Sequence, residues 1–213
     1  TAAMVIRIRP ILLAMLFGLA LSGPATSDDR GIDDLGGSSL GVETDVSGVG
    51  GVDGVTPLDG YFAQLQEAAG PLEARAIEAL IWEAWTEGPS DTAVLLFGRA
   101  EAAVADDKQD LAIDLLDGLI RLAPGFAEAW HTRATVHYMR GDFDAAIADI
   151  GVTLNLEPRH FGALQGLGAI FHQIGEEKQA LEAYEKALTL NPHLDGVAEA
   201  IRLLEVKVRG RRI

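Results

Sequence analysis

Leu156–Leu164 reads LEPRHFGAL. The stretch LAPGFAEAW at Leu122–Trp130 precedes it by 34 residues, and LNPHLDGVA at Leu190–Ala198 follows it by 34. Pro124, Pro158 and Pro192 set the register, and Ala112, Ala146 and Ala180 fall into it. So do Leu116, Ile150 and Tyr184. A fixed period of this length means stacked units, each too small to bury its apolar face alone.

Each unit holds two apolar stripes at helical spacing on either side of a turn. The turns are Asp106-Asp107, Gly141-Asp142 and Gly175-Glu176, residue types that accept the positive φ of a helix C-terminus. Proline closes the second stripe because it cannot extend a helix but is pre-set to open the next turn. The pattern predicts helices over 92–105, 109–122, 126–140, 143–156, 160–174 and 177–190, and a further one over 194–208. The composition agrees. A hydrophobic content of 48% with only 6% aromatic residues suits an Ala/Leu-rich helical interior better than strands.

The first stripes carry Leu96-x-x-Arg99-Ala100, Trp130-x-x-Arg133-Ala134 and Leu164-x-x-Leu167-Gly168. With the alanines and prolines above, they resemble the tetratricopeptide repeat, W-x-x-L-G-x-x-Y…A-x-x-x-F…P on the same period. The third unit fits best, with Phe171 in the Tyr slot and Tyr184 in the Phe slot. The resemblance implies an all-α, right-handed α-solenoid of three helical hairpins over 91–194. A solenoid needs covered ends. Residues 195–213 supply an amphipathic capping helix, with Val197, Ile201, Leu204 and Val208 on one face and a basic tail. Residues 58–90 read as two helices broken at Gly70-Pro71, an N-terminal cap or degenerate repeat in which Trp82 and Trp85 pack. Glu78 stands there where the register asks for a small residue.

Outside the repeats the chain changes character. Arg7 and Arg9 precede an uncharged apolar run from Pro10 to Ser22, too short for the ~20 residues of a spanning helix. Residues 1–22 are expected to be a signal peptide, with an uncleaved anchor as the alternative. The protein would then be periplasmic or secreted, and would meet a membrane only through the uncleaved precursor. Residues 23–57 hold nine glycines, seven acids and one base, and predict a disordered acidic linker. A net charge of −15 disfavours nucleic acid and anionic lipid as partners. No cysteine is present, so disulfides, thiolate metal sites and covalent haem are excluded.

No nucleophile elbow, phosphate loop, dinucleotide fingerprint or paired-histidine motif appears, so neither catalytic residues, metal ligands nor cofactors are expected. His131 and His172 are on first helices but not at a ligand spacing, and His160 and His193 stand in turns. Arg133 occupies an apolar slot of the pattern, where a bare guanidinium is costly. Asp149 lies one residue before Ile150, and the third repeat replaces the pair with Leu167 and Ala183. This covariation predicts a salt bridge between Arg133 and Asp149. Trp130 is expected as a buried knob between neighbouring helices.

The resemblance further implies a concave groove lined by the first helices, where family members commonly hold peptides. Its candidate residues are Phe97, Glu101, Glu128, His131, Thr135, Tyr138, Gln165, His172 and Gln173. Some members clamp the C-terminal carboxylate of heat-shock chaperones with Lys, Asn and Arg side chains. Those slots read Phe97, Glu101, Thr132, Gly162 and Gly166, which excludes that activity. The expected function is a non-enzymatic adaptor or scaffold for a protein or peptide partner. The alternative is a chaperone-like assembly factor, in cytochrome maturation or envelope assembly for example.

Overall fold

The computed structural model describes residues 56–210, and regular structure over them is entirely helical. The expected signal segment 1–22, the linker up to residue 55, and Arg211 and Arg212 of the basic tail lie outside the described residues. Two helices come first, α1 (Pro57–Glu67) and α2 (Pro71–Thr86). Three antiparallel hairpins follow: α3 (Asp91–Ala105) with α4 (Gln109–Leu122), α5 (Ala127–Met139) with α6 (Phe143–Leu156), and α7 (Phe161–Gln173) with α8 (Glu177–Leu190). The chain then enters α9 (Val197–Gly210).

The six hairpin helices end within one residue of the sequence expectation, because turn chemistry sets their ends. Asp107, Gly141 and Gly175 take φ of 56°, 78° and 84°. In each turn a backbone N–H reaches back to a helix carbonyl: Lys108 to Ala103, Asp142 to His137 and Glu176 to Phe171, at 2.8–2.9 Å. These bonds satisfy carbonyls that the helix end leaves open. The last helix begins three residues later than expected, since Gly196 at φ 75° turns the chain first.

Inside each hairpin, small residues let the two helices close. Ala100, Ala134, Ala112, Ala146 and Ala180 are fully buried. Gly168 meets the buried Tyr184 ring so closely that a Cβ there would lie 2.6 Å from it. Pro124, Pro158 and Pro192 stand exposed in the turns between units. The aligned apolar positions Leu116, Ile150 and Tyr184 are all buried, each in the cluster of its own repeat.

Two expectations need correction. Trp130 is half-buried rather than fully buried, and its indole N–H donates to the Pro124 carbonyl at 2.9 Å. The ring thus braces the inter-repeat turn. The second correction concerns α1 and α2, which do not add a unit to the end of the stack. The close backbone approach of α2 outside its own pair is to α5, not to α3. The pair lies across the side lined by the first helices. Glu78 accounts for this: a long carboxylate replaces the small residue that close repeat packing requires.

Candidate functional site

The side of the solenoid lined by α5 and α7 already holds a helix. Trp82 and Trp85 of α2 enter it with Ile77 and Ile81, and pack with Phe62 and Leu65 of α1 against Phe161. The i, i+3 spacing puts both indoles on one face of α2. Trp85 stacks on His160 with ring centroids 4.2 Å apart and planes 9° from parallel. Trp82 lies edge-on to His160 at 5.4 Å and tilted against His131 at 5.8 Å. Gly162 makes the space: a Cβ there would meet the Trp82 ring at 2.6 Å. The same slot is Val94 in the first repeat and Glu128 in the second.

Polar contacts fix the ends of this docked pair. Thr56 and Asp59 form a capping box that starts α1, and Asp59 also accepts from Arg159 at 2.6 Å. Arg159 lies over the Phe62 ring at 4.7 Å. Gln66 donates to the carbonyls of Thr189 and Leu190, at 3.0 and 2.8 Å, and so caps the end of α8. Glu78 accepts a short hydrogen bond from the fully buried Asn191, and burial pushes its carboxyl above the usual range. Arg75 pairs with Asp195 in solvent.

Beneath the indoles lies a polar triad. His160 opens α7, with its Nδ1 accepting from the backbone N–H of Ala163 at 3.0 Å. Its Nε2 therefore carries the proton and donates to the Glu128 carboxylate at 2.9 Å. His131 stands 4.4 Å away, ring to ring. Burial holds both imidazoles down to about 3, with His160 adding to the effect on His131 and Glu128 opposing it. Burial likewise raises the Glu128 carboxyl. The donor atoms of Glu128, His131 and His160 lie within 4.8 Å of one another, a separation that suits a metal. The protonation pattern does not suit one. A cation on Nε2 of His160 would move that proton to Nδ1, against the N–H of Ala163. His160 and Glu128 form a hydrogen-bonded floor for the indoles, with the His131 ring beside them.

The expected groove residues fall into two groups. Phe97, Glu128, His131 and Thr135 are 1–3% exposed, contrary to the expectation of an open surface. Glu128 and His131 belong to the floor under α2. Phe97 packs against Phe126 between the first two repeats, and Thr135 donates to the His131 carbonyl. The others retain access: Glu101, Tyr138, Gln165 and His172 are half-buried and Gln173 is exposed. Tyr138 leans on Phe143 of its own hairpin, and His172 sits 3.4 Å from Lys207 of α9. Sequence reasoning missed His160, Gly162 and Asn191. Two signals pointed to them: Glu78 out of register, and an aromatic pair in a chain poor in aromatics.

The Arg133–Asp149 contact forms as expected, through two parallel 2.8 Å bonds. Asp117 adds a 2.6 Å bond from α4, and Trp130 lies beneath the guanidinium at 4.9 Å. The hydrogen bond to Asp149, and then Asp117, hold the guanidinium further above its already high range. The pair joins the two helices of the second repeat, and the bond to Asp117 ties them to the first. It is a structural clamp.

Comparison with known proteins matches this architecture. The tetratricopeptide repeat model matches residues 162–194. A TPR repeat-containing protein of Rhizobium etli is 36% identical over 155 residues, covering 73% of this chain and 76% of its own length. A small glutamine-rich tetratricopeptide repeat-containing protein of Saccharomyces cerevisiae is 29% identical over 104 residues, 49% of this chain and 30% of that protein. Among solved structures, MamA superposes with a TM-score of 0.53 at 20% identity, covering 74% of this chain and 87% of its own. The first TPR of Spaghetti, bound to an HSP90 peptide, gives 0.54 at 20% identity, covering 57% and 97%. With its period, its turns, its hairpin packing and an R. etli relative aligned over most of both lengths, the chain belongs to the tetratricopeptide repeat family.

Proposed function

We infer that this chain is a non-enzymatic scaffold, exported to the periplasm or beyond, that holds a protein or peptide partner against the first helices of its repeats. The observation that carries the reading is α2. A surface that accepts an amphipathic helix through two indoles and a few edge hydrogen bonds has the makings of a helix-binding site. Similar folds have been solved with peptides in place, SRMEEVD on Spaghetti and a pHsp70 segment on yeast Sti1. The first of these is acidic. Here the corresponding slots Phe97, Glu101, Thr132, Gly162 and Gly166 carry no cation, and the chain is acidic overall. An acidic C-terminal peptide of that kind is therefore disfavoured at those slots. Export rests on Arg7, Arg9 and the apolar run to Ser22.

Photo-crosslinking in the producing cell tests the reading. Crosslinkers at Glu101, Gln165 and Gln173 sample the first helices, and those at Leu111 and Glu182 sample the second. One stoichiometric partner caught by the first set alone supports a scaffold. Many unrelated chains would instead support a chaperone-like assembly factor, and capture only from the second helices would refute the concave site. Intact mass of the isolated protein tests export: it should begin near Gly23 or Thr26. Retention of residues 1–22 in the membrane fraction would refute cleavage.

A further inference from the structure

The α1–α2 pair meets the repeats differently from the way the repeats meet one another. Within each hairpin, small residues bring the backbones together, whereas the pair docks chiefly by long side chains. Its polar ties go to the third repeat and the turns on either side of it: Asp59 to Arg159, Gln66 to Thr189 and Leu190, Glu78 to Asn191, Arg75 to Asp195. Several are open to water; the Arg75 and Asp195 side chains are 65% and 78% exposed. The link back to the repeats is the short segment 87–90, Glu-Gly-Pro-Ser.

The fit is also incomplete. Trp85 is 8% exposed, and its indole N–H is buried without a hydrogen-bond partner. A buried donor left unpaired forfeits the bond it made to water. By contrast the receiving surface is shaped for aromatic rings. Gly162 leaves a notch that any side chain would fill, His160 offers a flat face, and Asn191 presents an amide to an acid one helical turn before the first ring.

Resting on the scaffold reading above, we propose that the concave face of the second and third repeats is a receptor for an amphipathic helix with two aromatic side chains three residues apart, that α2 is its built-in occupant, and that a partner helix of this chemistry binds by exchange with α2. The occupant keeps the aromatic surface out of solvent until such a helix arrives. A partner is selected by outcompeting an imperfect, tethered ligand.

The probe is a fluorescent synthetic peptide of residues 57–86, added to the full chain. The Trp82→Ala/Trp85→Ala chain, whose own helix has lost its anchors, should bind it at least tenfold more tightly than the unaltered chain. The same peptide with both alanines should bind neither. Adding Gly162→Leu to the double variant should abolish binding by filling the notch. Equal binding to both chains, or no binding to a double variant that keeps its helicity, overturns the proposal. If the double variant does not fold, a protease site inserted between Gly88 and Pro89 of the otherwise unaltered chain replaces it. After cleavage, exchange of the 57–86 fragment for labelled peptide supports the proposal, and a fragment that never exchanges overturns it. These readouts are separate from the scaffold reading, since a crosslinked partner lacking any aromatic helix would leave that reading intact and sink only this one.

Discussion

Arg133 shows how one residue can report its own partner from sequence. A guanidinium in an apolar slot requires an acid nearby, and Asp149 accepts both its Nε and its Nη2. The arginine side chain is 18% exposed and the aspartate 7%. Removing either should cost ~3–5 kcal/mol, because the survivor is left charged and largely buried. A double-mutant cycle read by denaturant unfolding should give strong coupling; coupling near zero would reject the clamp. Trp130 stands beside it but half-exposed, so Trp130→Ala should cost about 2 kcal/mol, less than the ~3–5 of a fully buried indole. The triad under α2 has its own signature in pH. His131 and His160 are held down to about 3 from 6.5, so the unfolded chain takes up protons below pH 6.5 that the folded chain refuses. Their stabilising effect is full above 6.5 and is lost as pH falls toward 3. Glu128, raised from 4.5, acts in the opposite direction, keeping a proton in the folded chain that the unfolded chain sheds above 4.5. Two imidazoles outweigh one carboxyl. Within this triad, stability between pH 4.5 and 6.5 should therefore fall with acidity, the two imidazoles acting against the single carboxyl. His131→Gln should flatten that slope by about one proton, as measured by urea titrations across the range.

At the level of the helix and the turn, most of the architecture could be read in advance. The period, the prolines and the positive-φ residues are local signals, and they placed all six hairpin helices within a residue. Gly168 illustrates a competition between local preference and packing. Alanine is a better helix former than glycine by ~1 kcal/mol. Yet a Cβ at 168 would lie 2.6 Å from the Tyr184 ring, which is 1% exposed and has nowhere to move. Overpacking of this kind costs ~1–3 kcal/mol, so Gly168→Ala should lower the melting temperature despite its propensity. A rise would show that the hairpin can open freely. What the sequence did not reveal was the docking of α1 and α2. Periodicity tells which face of α2 is apolar but not what that face meets. The contacts that decide it join residues 100 or more positions apart, such as Asp59 with Arg159 and Glu78 with Asn191. Two of the expected groove residues are covered for the same reason. Glu128 and His131 do face the concave side, but the chain's own tryptophans cover them.

Taken whole, the molecule departs from the behaviour of a plain solenoid. Stacked repeats touch only their neighbours, so their stability is a sum of local terms, and an end repeat can fray without disturbing the far end. Here α1 and α2 connect the start of the described chain to its third repeat and to the turn before α9. Trp82 and Trp85 carry most of that link through Phe161 and His160, both in the first turn of α7 or at its cap. The first repeat keeps its own cluster around Phe97, Leu116 and Phe126, apart from the indoles. Loss of the indoles should therefore be felt unevenly. In Trp82→Ala/Trp85→Ala, amide hydrogen exchange should accelerate most in α1, α2 and α7, and at Asn191, whose amide tie to Glu78 goes with them. Protection in α3 and α4 should change least. Each fully buried tryptophan is worth ~3–5 kcal/mol on truncation, enough to separate the regions by orders of magnitude in exchange rate. Uniform acceleration across all the helices would mean that the docked pair and the repeats fold as one unit, with no helix able to open ahead of the rest.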